Sequence, residues 1–186
     1  MSLEDILKFN TEFVESKKYT AFQTTKFPDK KIVILTCMDT RLTELLPKAM
    51  GLKNGDAKII KNAGAVVSHP FGSIMRSIMI AVYELRAEEI YVVGHHDCGM
   101  SNLDCDKILA AMQKRNISKE RIDTLERAGI NLREWLKGFD SVEESIKSTV
   151  RIIKQHPLLV SDIVVNGLIM NPETGKLDLV IDGSQE

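Results

Sequence analysis

Two short runs in this 186-residue chain carry side chains suited to metal chemistry. One is Cys37-Met-Asp-Thr-Arg41, and the other is Gly94-His-His-Asp-Cys98-Gly99. His95 and Cys98 are three apart on what reads as a loop, a spacing short enough to chelate one ion. By spacing alone His96 serves as well as His95, whereas Asp97 fits a supporting loop position better than a ligand position. Two thiolates and one imidazole suit zinc, which accepts sulfur and does no redox chemistry of its own. Three protein ligands leave one tetrahedral position open, the mark of a catalytic rather than a structural centre. Two thiolates also cancel the ion's charge. Water there should be less acidic than at a three-histidine zinc, where its pKa is about 7, so activity should rise toward alkaline pH.

Asp39 and Arg41 supply the other half of the chemistry. If the strand leading to Cys37 continues, Cys37 and Asp39 point to one face, and Arg41 can fold back onto Asp39 in a two-pronged ion pair. Held there, Asp39 can accept a hydrogen bond from a hydroxide on the metal and aim it at an electrophile. Released, it can take the open position as a fourth ligand and close the site. The sequence permits both. Cys105, between Asp104 and Asp106, reads as an ordinary free thiol, and His69 and His156, beside prolines, as loop histidines.

These residues need elements that bring them together. Ile32-Val-Ile-Leu35, Ala57-Lys-Ile-Ile60, Ile90-Tyr-Val-Val93 and Ile163-Val-Val165 continuing through Leu168-Ile-Met170 read as strands. The spacing predicts helices near the N-terminus (Leu3, Ile6, Leu7, Phe13, Val14, with Ser2 and Asp5 as a capping box), over about 42–50, and from Pro70 to about Leu85. The last of these is apolar around enough of its circumference to be buried on two sides. Residues 102–137 read as short polar helices broken near Asn116 and Gly129. A further helix opens at the capping box of Ser141 and Glu144 and stops before Pro157. Asn171-Pro-Glu-Thr-Gly175 is turn chemistry, and Leu177, Leu179 and Ile181 alternate, which predicts an antiparallel edge hairpin. The expected fold is therefore α/β: about four parallel strands plus an antiparallel edge strand, covered by helices on both faces. In such sheets the chemistry gathers at the carboxyl ends of strands where the winding direction reverses. If the first and third strands are neighbours there, the two runs converge.

The bulk properties narrow the classes. Hydrophobic residues make up 44% and charged residues 27%, with a formal net charge of -1, an ordinary globular balance with no pull toward nucleic acid or anionic lipid. No segment approaches the ~18–20 apolar residues of a membrane span. The N-terminus is acidic and then polar, unlike a secretion signal, so a cytoplasmic location is expected. Three cysteines with no C-x-x-C argue against both a disulfide framework and a thiol redox protein. The glycines form neither a dinucleotide fingerprint nor a phosphate-binding loop.

The motif pair C-M-D-T-R and H-H-D-C-G resembles the C-x-D-S-R and H-x-x-C-G pair of β-class carbonic anhydrases. Gly55-Asp-Ala-Lys-Ile-Ile-Lys-Asn-Ala-Gly64 is similar to that family's G-D-A…N-A-G segment. The order and spacing agree from about Ile32 to Asp182, most closely with short single-domain members, and the three motifs together are highly specific. Thr40 stands where serine is usual, and it keeps the hydroxyl. The resemblance implies zinc on Cys37, His95 and Cys98, and it is this pattern alone that selects His95 over His96. It implies Asp39 and Arg41 as the catalytic dyad, with Asn62, Ala63, Gly64 and Gly99 around the substrate pocket. The implied reaction is attack of zinc-bound hydroxide on CO₂ to give bicarbonate, then release of a proton to buffer. It further implies one domain spanning 1–186, a homodimer or higher homo-oligomer with residues 1–18 as a possible arm over the partner, and 102–137 as a helical insertion. Two rivals share these residues. One is hydrolysis of carbonyl sulfide or carbon disulfide at the same zinc, and the other is a non-catalytic zinc protein closed by Asp39.

Overall fold

The apolar run at Ile32 becomes strand β1 (Ile32–Cys37), followed in the same sheet by β2 (Ala57–Asn62), β3 (Glu89–His95), β4 (Val164–Met170) and β5 (Leu177–Ile181). The computed structural model describes residues 1–185. Strand order is β2-β1-β3-β4-β5, with the first four parallel and β5 antiparallel. The sheet expected from the sequence is the one observed. The chain winds outward from β1 to β2, then returns to place β3 on the other side of β1. The reversal point therefore lies between β1 and β3, with Thr36 paired to Val93 across it. Thr36 Oγ1 also donates to the Val93 carbonyl (2.9 Å), tying the two strands together one residue before Cys37.

Two apolar layers enclose the sheet. On one face Val33, Leu35, Ile90, Val92 and Val165 pack against α3 (Ser73–Tyr83) and α7 (Val142–Lys154), which contribute Met75, Ile78, Ile146, Val150 and Ile153. On the other, Ile34, Val93 and Met170 meet Leu42 and Leu46 of α2 (Leu42–Ala49). Each such burial contributes roughly 1.5–3 kcal/mol, and together they fix the strand ends against one another. Gly94 belongs to this packing: a Cβ there would lie 2.9 Å from Ile146 Cδ1 and 3.0 Å from Val142 Cγ1. Its missing side chain lets α7 sit close to β3 next to His95. The edge hairpin follows its turn chemistry, with Asn171 Oδ1 accepting from the Glu173 and Thr174 N–H groups and Gly175 at φ 76.

The periphery also follows the sequence, with one shortened helix. The N-terminal helix α1 (Leu3–Glu15) has the Ser2–Asp5 capping box, yet none of its residues is buried. The segment after β3 forms α4 (Cys105–Lys114), α5 (Lys119–Arg127) and α6 (Leu132–Leu136), capped by Asp104, Ser118 and Asn131 and broken at Asn116 and Gly129. The helix expected from Pro70 to Leu85 instead starts at Ser73. The His69 carbonyl accepts from Gly72 N–H and the His69 ring from Phe71 N–H, a turn that claims both donors and leaves Gly72 extended as the N-cap. At the far end the Leu85 N–H reaches back to the Ile80 carbonyl, closing the helix after Tyr83. Within one chain α3 buries a single stripe, and Ile80 and Tyr83 stay exposed. No helix among the described residues is long and apolar enough to cross a membrane.

Candidate metal centre

At the carboxyl end of the reversal point, Cys37 closes β1 and His95 closes β3, and Cys98 lies on the loop that leaves β3. Their candidate ligand atoms all lie within 4.8 Å of one another, and all three residues are buried. The two sulfurs are 3.8 Å apart. A tetrahedral ion with metal–sulfur bonds of ~2.3 Å requires sulfurs ~3.8 Å apart, so the pair is pre-spaced for zinc. His95 Nδ1 lies 2.8 Å from the His96 carbonyl, which fixes the tautomer and turns Nε2 toward the sulfurs. That Nε2 is buried and has no hydrogen-bond partner among the described residues. An orphaned ring nitrogen facing two thiols is costly in an apolar interior and is what a cation would satisfy. His96 and Asp97 are not in the cluster.

The loops explain this convergence. Gly64, in a short turn at Ala63–Ala65 after β2, has φ 83, where a non-glycine residue is strained, and a Cβ there would lie 2.9 Å from the Phe139 ring. Its N–H points at Cys37 Sγ (3.4 Å). Asn62 shapes this turn from outside, donating to the Val66 carbonyl (2.6 Å) and accepting from the Val66 N–H (3.1 Å). Burial works to raise the Cys37 thiol, but the His95 ring and the Gly64 N–H bring it down. Burial and the neighbouring Cys37 push the Cys98 thiol up. The two neighbouring thiols are thus shifted in opposite directions, Cys37 down and Cys98 up.

Asp39 reaches the cluster by a route the sequence did not suggest. β1 ends at Cys37, so strand alternation does not carry through to Asp39. Instead Asp39 makes a tight turn into α2, its Oδ1 accepting from the Arg41 backbone N–H (2.9 Å) and its carbonyl from Leu42 N–H (3.2 Å). The turn folds Arg41 back, with Nε 3.1 Å from Oδ1 and Nη2 2.9 Å from Oδ2. The Arg41 guanidinium brings the Asp39 carboxyl down to about 2. The same Oδ2 is 3.8 Å from His95 Nε2, so the carboxylate stands between its arginine and the cluster.

Above these residues opens a cleft of about 650 Å³, lined by Cys37, Asp39, Arg41 and Cys98 on its polar side. Thr40, Ala63, Gly99, Met38, Met100 and Leu103 make the rest of its wall. Of the expected pocket residues, Ala63 and Gly99 line it. Gly64 touches the site through its N–H, and Asn62 lines a neighbouring cleft with Phe139. The residues missed were Met38, Met100 and Leu103, whose types alone do not separate a pocket wall from a core. Also missed was the bond between Arg41 and Asp97, to which no spacing rule points.

The carbonic anhydrase family pattern matches residues 32–177. The chain is 60% identical over 183 residues to YvdA of Bacillus subtilis (strain 168), which carries a provisional carbonic anhydrase name; the match covers 98% of this chain and 93% of that one. It is 28% identical to a carbon disulfide hydrolase of Acidithiobacillus thiooxidans, over 95% of this chain and 90% of that one. The crystal structure of β-carbonic anhydrase isoform I from Trichomonas vaginalis superposes with a TM-score of 0.87 at 35% identity, covering 98% of this chain and all of that one (100%). With the pattern, the relative and the fold in agreement over the segments that carry Cys37, His95 and Cys98, the chain belongs to the β-carbonic anhydrase family.

Proposed function

We propose that this chain is a zinc-dependent carbonic anhydrase interconverting CO₂ with bicarbonate and a proton, the ion held by Cys37, His95 and Cys98. The observation that carries the reading is the buried trio itself, two sulfurs 3.8 Å apart facing an unpartnered Nε2. When bound there, zinc supplies the Lewis acidity that makes water a nucleophile near neutral or alkaline pH. The chain's own residues do the rest. Asp39 stays ionised because Arg41 holds it, so it can only accept a hydrogen bond, and it orients the attacking water. Gly64 N–H offsets charge on the Cys37 sulfur. The apolar wall of Ala63, Met100 and Leu103 suits a small linear molecule with no net dipole. The pairing of Asp39 with Arg41 favours an open centre over one closed by Asp39 as a fourth ligand.

The same reading treats 1–186 as one domain and residues 102–137 as a helical insertion. The three free cysteines fit a reducing cytoplasm. The uncovered apolar residues of α1, Leu3, Leu7 and Phe9 among them, fit an arm laid on a second copy in a homodimer or larger assembly.

Carbonyl sulfide and carbon disulfide are linear too and compete as substrates, carbon disulfide with the support of the carbon disulfide hydrolase relative. The test is one purified sample assayed for bound zinc, CO₂ hydration and sulfide release across pH. Stoichiometric zinc with hydration that strengthens toward alkaline pH is expected. Sulfide release without hydration would overturn the substrate, and zinc without either activity would favour a closed, non-catalytic site.

A further inference from the structure

Arg41 does more than pair with Asp39. Its Nη1 donates to Asp97 Oδ2 (2.9 Å) and its Nη2 to the Asp97 carbonyl (2.9 Å), so one guanidinium bridges the turn after β1 and the loop after β3. Two features make this contact unusual. The Asp97 side chain is 86% exposed, where an ion pair adds little to folding. Its backbone is left-handed (φ 52), a conformation that aspartate tolerates and most residues avoid, and there its carbonyl meets Arg41. Arg41 is itself 39% exposed and long enough to find other rotamers if only Asp39 held it. Asp39 Oδ2 meanwhile stands 2.9 Å from Arg41 and 3.8 Å from the orphaned His95 nitrogen. Whatever fixes Arg41 decides which of the two the carboxylate serves.

We propose that Asp97 is a positioning residue: by clamping Arg41 through both its carboxylate and its carbonyl, it keeps Asp39 paired with Arg41 and away from the open side of the cluster. This rests on the reading of Cys37, His95 and Cys98 as metal ligands. Asp97 touches neither substrate nor metal. It acts through Arg41, and Arg41 acts through Asp39.

Asp97→Gly keeps the left-handed backbone and removes the carboxylate, and Asp97→Asn keeps the backbone and one acceptor oxygen. In metal-free protein, nitrogen-15 relaxation of the Arg41 Nε–H should report a rigid side chain in wild type. In Asp97→Gly its order parameter should fall toward the flexible range, below about 0.6, with Asp97→Asn between. In cobalt-loaded protein, azide affinity read from the visible spectrum should drop about tenfold in Asp97→Gly, as Asp39 competes for the open position. Added to Asp39→Asn, the same substitution should change azide affinity no further. An unchanged Arg41 order parameter, or an equal loss of azide affinity in both backgrounds, would overturn the proposal. Failure to take up cobalt at all would instead overturn the metal reading, and cobalt content measured on the same samples separates the two failures.

Discussion

In β1 and β3, Val33, Ile34, Leu35, Ile90, Val92 and Val93 have no exposed surface, whereas Leu3, Ile6, Leu7 and Phe9 of α1 keep about half or more of theirs. The side-chain types are similar and the surroundings opposite. The strands are covered on both faces by helices of the same chain, and their carboxyl ends are held rigidly enough to bring Cys37 and His95, at the ends of different strands, within ligand distance. α1 is well capped but buries none of its residues within its own chain. Burial is thus spent where geometry matters for chemistry, and the helix that lacks it has an apolar surface to offer elsewhere. Damage near the strand ends should remove function, and damage in α1 should alter assembly.

The strongest break of that contrast is Cys98→Ala. It should abolish metal retention, measured by elemental analysis, and with it all hydration above the uncatalysed rate. Next is Asp39→Ala, which should retain the metal but lose turnover by roughly 10²–10³-fold, the scale of removing one preorganised partner of the reacting atoms. Gly94→Ala tests the rigidity directly. The new methyl group meets Ile146 and Val142, so urea unfolding should show a loss of about 1–3 kcal/mol.

A smaller effect attaches to acid. The Asp39 carboxyl is lowered to about 2 in the folded chain by Arg41. Its contribution to stability is therefore complete above the ordinary carboxylate pKa of about 3.9 and lost as pH falls through about 2. The stability difference between wild type and Asp39→Asn in metal-free protein should shrink across that window. Smallest in folding terms is Leu7→Lys with Phe9→Lys. Exposed positions of this kind change the stability of a single chain by no more than about 0.5 kcal/mol, yet sedimentation should show a lighter assembly than wild type.

The sheet was legible because its strands are short, nearly uninterrupted apolar runs, a pattern that buried parallel strands require. The meeting of Cys37, His95 and Cys98 was legible because cysteine and histidine at strand ends are chemically distinctive. The route of Asp39 was not, since a strand that stops at Cys37 and a tight turn that begins at Asp39 leave the same residues in the same order. The start of α3 was misplaced for a related reason. Pro70 suits a first helical turn, but the His69 side chain captures the Phe71 N–H that the helix would otherwise use. The hold of Asp97 on Arg41 depends on a left-handed backbone that aspartate permits without announcing it.

X-ray absorption at the zinc edge of the purified protein reads out whether Cys37, His95 and Cys98 share one ion. One zinc per chain with two sulfurs near 2.3 Å and one imidazole nitrogen at about 2.0–2.1 Å is the predicted result. A shell without sulfur, or protein that holds no zinc, would contradict it.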